Sequence, residues 1–360
     1  MLTEFYNYTH KVHWWHLDIK NIKGKLAQCD RQPLSQEQKK AVQAYWKSLI
    51  GKEVPLYWHE YFYSRNGQFS ERYVPTAVYH WYLIWRLNFR PFARAYVDKG
   101  FADTLFPDVR RPRTIVKNQN GYFYDANKPL SREEALELCA NLDAAVIKPS
   151  LRGMWGRGVR VFSSQGGAMT DTGESLGTVF DTYEDNFIVQ EKIEQHARMS
   201  LLNPTSINTL RIVSYRDGSD VHILYAVVRI GRKGQQVDNE SAGGINADVN
   251  LATGRIRDCA YGTPAEKRIL HTDVGTELAG FEIPSFPETL RLVKEIHQRM
   301  PYFNLIGWDF CIDREGYPVM IEWNRAPDLS QTAHGPAFGD MTEEIVRRAL
   351  SLPETYKAVY

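Results

Sequence analysis

The sequence predicts a mixed α+β fold in which a helical, aromatic-rich region precedes alternating strands and helices. The first hundred residues hold six of the nine tryptophans and ten of the twenty tyrosines, and they carry mainly helix signals. Beyond residue 110, short apolar runs and hairpin turns become frequent. We therefore divide the chain into a helical domain, residues 1–110, and two α+β subdomains, residues 111–190 and 191–360.

The overall composition is that of an ordinary globular protein, with 43% hydrophobic and 24% charged residues. The balance of 44 basic against 43 acidic residues argues against a broad surface for nucleic acid. The four scattered cysteines suit free thiols in a reducing compartment. The N-terminus lacks the apolar run of a signal peptide, and the most apolar stretch, residues 79–89, is too short to span a membrane. We expect a cytoplasmic protein without a transmembrane segment.

Capping signals define the helices of the first region. Ser35 and Gln38 form a capping box that opens a helix, and Gly51 ends it. Pro91 can begin another helix, which we expect to end at Gly100.

The aromatic residues of this region are interpreted mainly as core packing. A face that binds an acceptor or lies against a membrane remains an alternative. His10, His13 and His16 are spaced by three and could share a helical face, but the neighbouring tryptophans favour an aromatic helix over a zinc site.

Strand and hairpin signals follow in the remaining chain. A capping box of Ser131 and Glu134 predicts a helix to about residue 142, and amphipathic spacing predicts another over 287–300. Tight turns at Asn120-Gly121, Asp217-Gly218 and 314–316 indicate three hairpins. The predicted strands are residues 113–117, 121–124, 145–150, 187–190, 210–215, 221–230, 305–313 and 317–324.

The last hairpin carries a candidate metal site. Asp309 lies on its first strand, and Glu322 and Asn324 lie on its second. With a tight turn, Asp309 lies opposite about Met320, and alternation then places all three oxygen ligands on one face. Magnesium prefers such oxygen ligands and completes its shell with substrate phosphates. A register slip of one residue would separate the ligands, and a solvated hairpin with incidental acids is the alternative interpretation.

A candidate phosphate site lies near the middle of the chain. Lys148 ends an apolar strand, where a buried ammonium is costly unless an anion meets it. Gly153, Gly156 and Gly158 follow at once, and their backbone N–H groups can approach phosphate closely. The pattern matches neither the P-loop nor the dinucleotide-binding motif.

The lysine strand, the glycine loop and the carboxylate hairpin together resemble the ATP-grasp superfamily, and most of all its sugar-transfer-associated branch. The resemblance covers about residues 111–345. It implies an ATP-grasp fold whose N-terminal and C-terminal subdomains, 111–190 and 191–360, clasp a nucleotide. The usual N-terminal domain of the superfamily is replaced here by the aromatic helical region.

The resemblance also implies roles for individual residues. Lys148 would contact the nucleotide phosphates and Arg211 the reacting phosphate or acyl group, and both would offset the charge that develops on the transferring group. ATP and Mg²⁺ would be the cofactors. Lys117 is the best candidate for the first of the family's two nucleotide lysines. The positions that would bind nucleotide are Lys117, Lys148, Arg152, Gly153, Gly156, Gly158, Gln190, Glu191, Lys192, Ile193, Asn239, Gly243 and Gly244. The metal set would be Asp309, Glu322 and Asn324.

The implied reaction is ligation of a carboxylate and an amine through an acylphosphate, with ADP released. The family name suggests sugar-linked substrates, cell-surface polysaccharide synthesis and association with glycosyltransferases. Two alternatives stay open: a kinase that phosphorylates a hydroxyl, and a non-catalytic nucleotide-binding scaffold for glycosyltransferases. Arg325 and His334 could face substrate or be structural.

Overall fold

The computed structural model describes residues 15–353, apart from 152–157, 233, 236–237 and 239–241. Two antiparallel sheets organise it. The strands are β1 (Thr114–Gln119), β2 (Tyr122–Asp125), β3 (Lys128–Leu130), β4 (Leu142–Pro149), β5 (Arg160–Gln165), β6 (Ala168–Met169), β7 (Phe187–Glu191), β8 (Thr209–Asp217), β9 (Asp220–Ile230), β10 (Ile245–Val249), β11 (Ile256–Tyr261), β12 (Leu305–Ile312) and β13 (Pro318–Asn324). The first sheet has the order β3-β2-β1-β7-β4-β5-β6, and the second β11-β10-β9-β8-β12-β13.

Helices surround these sheets, and most of the long ones cover a sheet face. They are α1 (residues 15–26), α2 (Gln36–Ile50), α3 (Tyr57–Asn66), α4 (Thr76–Val78), α5 (Ile84–Leu87), α6 (Arg90–Ala95), α7 (Ala102–Leu105), α8 (Arg132–Leu138), α9 (Leu176–Tyr183), α10 (Ala197–Ser200), α11 (Phe286–Gln298), α12 (Gln331–His334) and α13 (Thr342–Ser351). In the described chain, we find no helix with both the length and the apolar character that crossing a bilayer requires.

The first sheet packs one face against α8 and α9. Phe187 and Val189 of β7 lie in this apolar core. Ile188, between them, points to the opposite face because side chains alternate along a strand. That opposite face carries the lysines of interest.

The second sheet is covered on both faces. Ile212, Trp308 and Phe310 belong to a core with Val293 of α11. Residues of the other parity, such as Val213, belong to a core with α2, the helical stretch 76–87 and α13. The N-terminal helices therefore share a core with the second sheet.

The mixed α+β fold and the aromatic helical N-terminal region agree with the sequence prediction. The capping boxes at Ser35 and Ser131 both form, and Gly51 ends α2 in the left-handed conformation. Trp46 and Trp58 are fully buried, as the core-packing interpretation expects. The domain boundaries at 110 and 190 stay predictions.

Two predicted helix ends differ from the structure. The helix opened by Ser131 ends at Leu138 because residues from 142 onward join the first sheet. The helix at Pro91 ends at Ala95, and a separate 3-10 turn, Lys99–Phe101, follows. That turn is capped by the side chain of Asp98, which accepts a hydrogen bond from the Gly100 N–H. The break brings Lys99 to the site described next.

Candidate active site

The β12–β13 hairpin sets the position of the predicted metal ligands. Asp309 pairs directly with Glu322, and Gly307 pairs with Asn324. The prediction that Asp309 lies opposite Met320 is wrong. A register shift next to Asp309 leaves Met320 opposite Phe310. Asp309 and Glu322 still share a face, since directly opposed residues of an antiparallel pair point to the same side.

Asp309 is buried and held by several donors. Arg211, opposite it on β8, donates from Nε to Oδ1 over 2.5 Å and from Nη2 to Oδ2 over 2.8 Å. Asn324 donates from Nδ2 to the same Oδ2 over 3.1 Å, and Arg229 Nη1 lies 3.5 Å from it. Burial alone would raise the pKa of Asp309, but the guanidinium groups of Arg211 and Arg229 outweigh burial and lower it. The carboxylate is therefore ionised at neutral pH.

The ion pair with Asp309 also keeps Arg211 protonated. Burial alone would lower the pKa of Arg211, but the Asp309 carboxylate outweighs burial and raises it. A charge pair with 6% and 7% side-chain exposure is costly to desolvate, and its geometry has to be favourable to persist. The bidentate arrangement meets that requirement.

Glu322 forms an ion pair with Lys99 and acts electrostatically on a second lysine, Lys148. Its Oε2 lies 3.7 Å from Lys99 Nζ, and its side chain is 36% exposed. The Lys99 N–H donates to the Ser150 carbonyl, which begins the glycine loop after β4. Burial lowers the pKa of Lys148 to about 8, with a further contribution from the Lys99 ammonium, while Glu322 opposes the shift. Lys148 is thus close to both Lys99 and Glu322.

Lys117 and Lys148 lie on the same face of the first sheet. Both pair with Ile188 of β7, Lys117 from β1 and Lys148 from β4. Lys117 is buried, and its Nζ lies 3.4 Å from the Gly100 carbonyl and 3.4 Å from Asn127 Oδ1. Burial lowers the pKa of Lys117. The sheet thus presents two lysines, one on each side of Ile188.

Residues 190–193, which the sequence resemblance predicts to bind nucleotide, lie at the end of β7. Gln190, the last buried residue of β7, donates from Nε2 to the Pro112 carbonyl over 3.4 Å. Glu191 accepts from the Arg113 N–H. Lys192 and Ile193 leave the strand, and the Lys192 N–H donates to the Ala144 carbonyl. Their contact with a nucleotide stays a prediction.

The two predicted loops are described in part. Arg152, Gly153 and Gly156 of the glycine loop, and Asn239 of the large loop, lie outside the described residues. Gly158 has φ +74°, and a Cβ on it would lie 3.0 Å from the Pro149 ring. Glycine is therefore required at the position where the loop returns to β5.

In the large loop after β9, Gly243 has φ +91° and Gly244 precedes β10 directly. Asp238 anchors this loop, because its Oδ2 accepts hydrogen bonds from the Thr209 N–H, over 2.9 Å, and from the Thr209 hydroxyl. Burial raises the pKa of Asp238, although Arg229 opposes this.

A close backbone approach holds the segment after the hairpin. A Cβ on Gly307 would lie 2.6 Å from Pro327 Cβ, so glycine lets residues 325–330 cross the sheet there. Burial lowers the pKa of Arg325 in this segment, and Glu322 opposes the shift. Arg325 therefore adds a cation beside the hairpin.

Sequence reasoning missed three residues of this site. Arg229 and Asp238 lie beside Asp309, and Lys99 lies beside Glu322. An arginine inside the apolar strand of residues 221–230 was a usable signal for Arg229. Lys99 had no local signal, because its position depends on contacts with chain segments far away in sequence.

We call the assembled group the charged junction. It comprises five cations against three acids, namely Lys99, Lys148, Arg211, Arg229 and Arg325 against Asp309, Glu322 and Asp238. An excess of positive charge in a partly buried site favours a polyanion such as a triphosphate.

The junction also fits a hard divalent cation. The Glu322 carboxylate is accessible. Asn324 donates its Nδ2–H to Asp309, so the amide oxygen of Asn324 can serve as a metal ligand. The described residues contain no group of three or more His, Cys, Asp or Glu side chains that could hold a metal alone. Magnesium does not need one, because it binds through one or two carboxylates together with substrate phosphates.

Comparison with known proteins agrees with the fold. The family described as sugar-transfer associated ATP-grasp matches residues 84–346, which begins earlier than the sequence resemblance at 111. No curated protein matches the sequence.

Several solved structures are similar in fold at low identity. The biotin carboxylase domain of Hydrogenobacter thermophilus 2-oxoglutarate carboxylase, with MgADP, is 14% identical with a TM-score of 0.43, covering 72% of this chain and 46% of that one. D-alanyl-alanine synthetase A from Vibrio cholerae is 14% identical with a TM-score of 0.39, covering 74% and 64%. The chain thus spans about half to two thirds of the length of these proteins.

Proposed function

Because the chain belongs to the sugar-transfer associated ATP-grasp family, we propose that it is an ATP- and Mg²⁺-dependent ligase. The enzyme activates a carboxylate as an acylphosphate, releases ADP, and joins the acyl group to an amine. The observation that carries the proposal is the charged junction, where Lys99 pairs with Glu322 of the second sheet at 3.7 Å and both charges act on Lys148 of the first sheet.

The lysines supply the phosphate-binding part of the site. Lys99 and Lys148 are close enough for each charge to act on the other, an arrangement that a bound anion relieves. Lys148 would contact the transferring phosphate, and Lys117 would contact the nucleotide from the far side of Ile188. Neutralising charge on the transferring group is most of the catalysis that phosphoryl transfer needs.

The hairpin supplies the metal-binding part. Glu322 and the Asn324 amide oxygen would hold Mg²⁺, with Asp309 behind them. A bound Mg²⁺ neutralises phosphate charge and orients the phosphates. Two of the five N–H donors of Arg211 fix Asp309, and we assign the others to the reacting acyl phosphate.

The substrates are a small carboxylate and an amine, and the family name favours sugar-linked ones in cell-surface polysaccharide synthesis. The same name supports association with glycosyltransferases, for which the exposed part of the aromatic N-terminal region is the candidate surface. These assignments rest on the family description rather than on the geometry.

An ADP-release screen tests the proposal. The full chain is incubated with ATP and panels of sugar acids and amino acids, with Mg²⁺ and with EDTA. A ligase releases ADP and phosphate when Mg²⁺, the carboxylate and the amine are all present. Hydroxylamine in place of the amine then yields a hydroxamate, because it traps an acylphosphate.

Other outcomes identify the alternatives. A stable phosphate ester that hydroxylamine does not intercept would indicate a kinase. Binding of ATP without turnover of any panel member would support the non-catalytic scaffold.

A further inference from the structure

A row of side chains extends the charged junction across the second sheet. Glu322, Asp309, Arg211, Val227 and Asp248 pair in sequence from β13 to β10, each directly opposite the next. They therefore share one face of the sheet. Strands lie about 4.8 Å apart, so three spacings place Asp248 on the order of 14 Å from Asp309 along the row.

Asp248 holds a histidine at the far end of this row. The buried Asp248 accepts a hydrogen bond from His334 Nδ1 over 2.7 Å and forms an ion pair with Arg257. The His334 ring stacks on Tyr225, with centroids 4.9 Å apart and an interplanar angle of 21°. The ring is thus fixed by one hydrogen bond and one stacking contact.

This geometry determines which ring nitrogen of His334 is a base. An Nδ1–H that donates to a carboxylate leaves the Nε2 lone pair as the acceptor of the neutral ring. Among the described residues, Nε2 has no hydrogen-bond partner, and the side chain is 18% exposed. The lone pair is therefore accessible.

The buried His297 has a structural role and provides a comparison. His297 of α11 uses both nitrogens, Nδ1 with the Ser214 hydroxyl at 2.7 Å and Nε2 with the Phe303 carbonyl at 2.9 Å. Burial lowers its pKa to about 4. His334 differs because one nitrogen is oriented by an acid and the other is left accessible.

The polypeptide itself joins this histidine to the metal hairpin. Residues 325–330 run directly from Asn324 to α12, which ends at His334. Along the way the Ser330 N–H donates to the Tyr225 hydroxyl over 3.1 Å, beneath the His334 ring. The position of the ring is thus fixed relative to that of Asn324.

We propose that His334 is the general base for the amine substrate and that Asp248 is its positioning residue. The inference rests on the proposed function. As the amine nitrogen bonds to the acyl carbon, the bond from that carbon to the phosphate oxygen breaks and phosphate leaves. The ammonium proton passes to His334 Nε2, and Asp248 stabilises the imidazolium that forms.

The first test separates the two half-reactions. His334→Gln and Asp248→Asn are compared with wild type, using ATP, Mg²⁺ and the carboxylate and amine found in the screen. We expect amide formation to fall by about 10²-fold or more in His334→Gln. Hydroxamate formation should change little, because the nitrogen of the hydroxylamine adduct is far more acidic than an alkylammonium and loses its proton to water without the histidine.

His80→Gln is the matched control, since His80 also faces an acid, Asp18 at 3.7 Å, but on the N-terminal helices. It should leave both half-reactions unchanged. If His334→Gln lost amide and hydroxamate formation equally, or lost neither, the inference would be overturned. Amide formation by the wild type in the same assay would still support the ligase. Absence of wild-type turnover would instead refute the ligase itself.

A second test needs no substrate and determines the tautomer of His334 in the wild-type protein. Long-range ¹⁵N–¹H correlation spectra of the full chain labelled at histidine nitrogens report the tautomer, with the His334 signals assigned from the His80→Gln and His334→Gln spectra. We expect His334 to carry its proton on Nδ1 and to lose that preference in Asp248→Asn. A His334 proton on Nε2 in the wild type would overturn the inference.

Discussion

The two faces of the second sheet are built from alternate residues of the same strands, yet one face is apolar and the other carries a buried ion pair. On the α11 face, Ile212, Trp308 and Phe310 are fully buried in an apolar core. On the other face, Arg211 and Asp309 are almost equally buried but charged. Burial therefore stabilises the fold at the apolar positions of both faces and imposes a desolvation cost at Arg211 and Asp309.

The difference separates stability from function. A buried ion pair is weak support for a fold, because an apolar pair of similar size often does as well. The proposed binding of phosphate and Mg²⁺ would account for this ion pair next to Glu322 and two lysines. Changes on the α11 face should thus alter stability alone, and changes on the charged face should alter activity most.

The largest effect is expected from Glu322→Gln. It removes a metal-binding carboxylate, and ADP release should fall about 10³-fold, on the scale of losing one preorganised electrostatic contact. The free energy of unfolding should change little because the side chain is partly exposed. Glu315→Gln, in the turn of the same hairpin, is the control and should retain turnover. An active Glu322→Gln enzyme would remove the metal assignment.

The ion pair itself gives the next largest effect. Asp309→Leu leaves Arg211 buried without its main partner and should destabilise the fold by about 3–5 kcal/mol in urea unfolding. Adding Arg211→Met should restore most of that stability. Neither variant should turn over ATP. A double variant that is active would show that the pair serves the fold only.

The α11 face is tested by Trp308→Phe. The change removes the hydrogen bond from the indole Nε1 to the Ser214 hydroxyl, 2.8 Å long. The Ser214 hydroxyl then keeps its hydrogen bond with His297 but loses its indole donor. We expect a loss of about 1–3 kcal/mol in the free energy of unfolding. The affinity for MgATP should be unchanged when measured by calorimetry, and a weaker affinity would couple the two faces.

The smallest effect concerns pH. If Lys148 binds phosphate as proposed, it does so when protonated, and its pKa of about 8 in the free protein should rise when an anion binds. Affinity for MgATP is then complete below pH 8 and falls as pH rises above it, by about tenfold between pH 7 and 9. Lys148→Arg keeps its charge throughout and should show a flat profile. A wild-type profile without this fall would place Lys148 away from the phosphates.

The sequence predicted the parts of this site that depend on local patterns. Alternation along the last hairpin put Asp309, Glu322 and Asn324 on one face, and the structure agrees because Asp309 pairs with Glu322. The register shift at Asp309 was not predictable: without it, the pairing of Phe310 with Met320 would continue as Asp309 with Ile321 and would put Glu322 on the other face.

Long-range placement was beyond the sequence. Lys99 belongs to a helical region that looked like a separate domain, and it reaches Glu322 only because its turn packs beside Ser150. Likewise Asp248 and His334 are 86 residues apart, and their pairing depends on how α12 lies over β10. Such contacts follow from packing of distant elements, which periodicity and capping rules do not encode.

The central claim is that Lys148 and Glu322 act on the same nucleotide from opposite sheets. Calorimetric titration of MgATP into wild type, Lys148→Met, Glu322→Gln and the double variant tests it directly. We expect each single change to weaken binding at least tenfold and the double change to weaken it by clearly less than the product, because groups acting on one ligand are coupled. Two results would contradict the account: losses of affinity that multiply in the double variant, or a wild-type affinity for ATP that is the same with and without Mg²⁺.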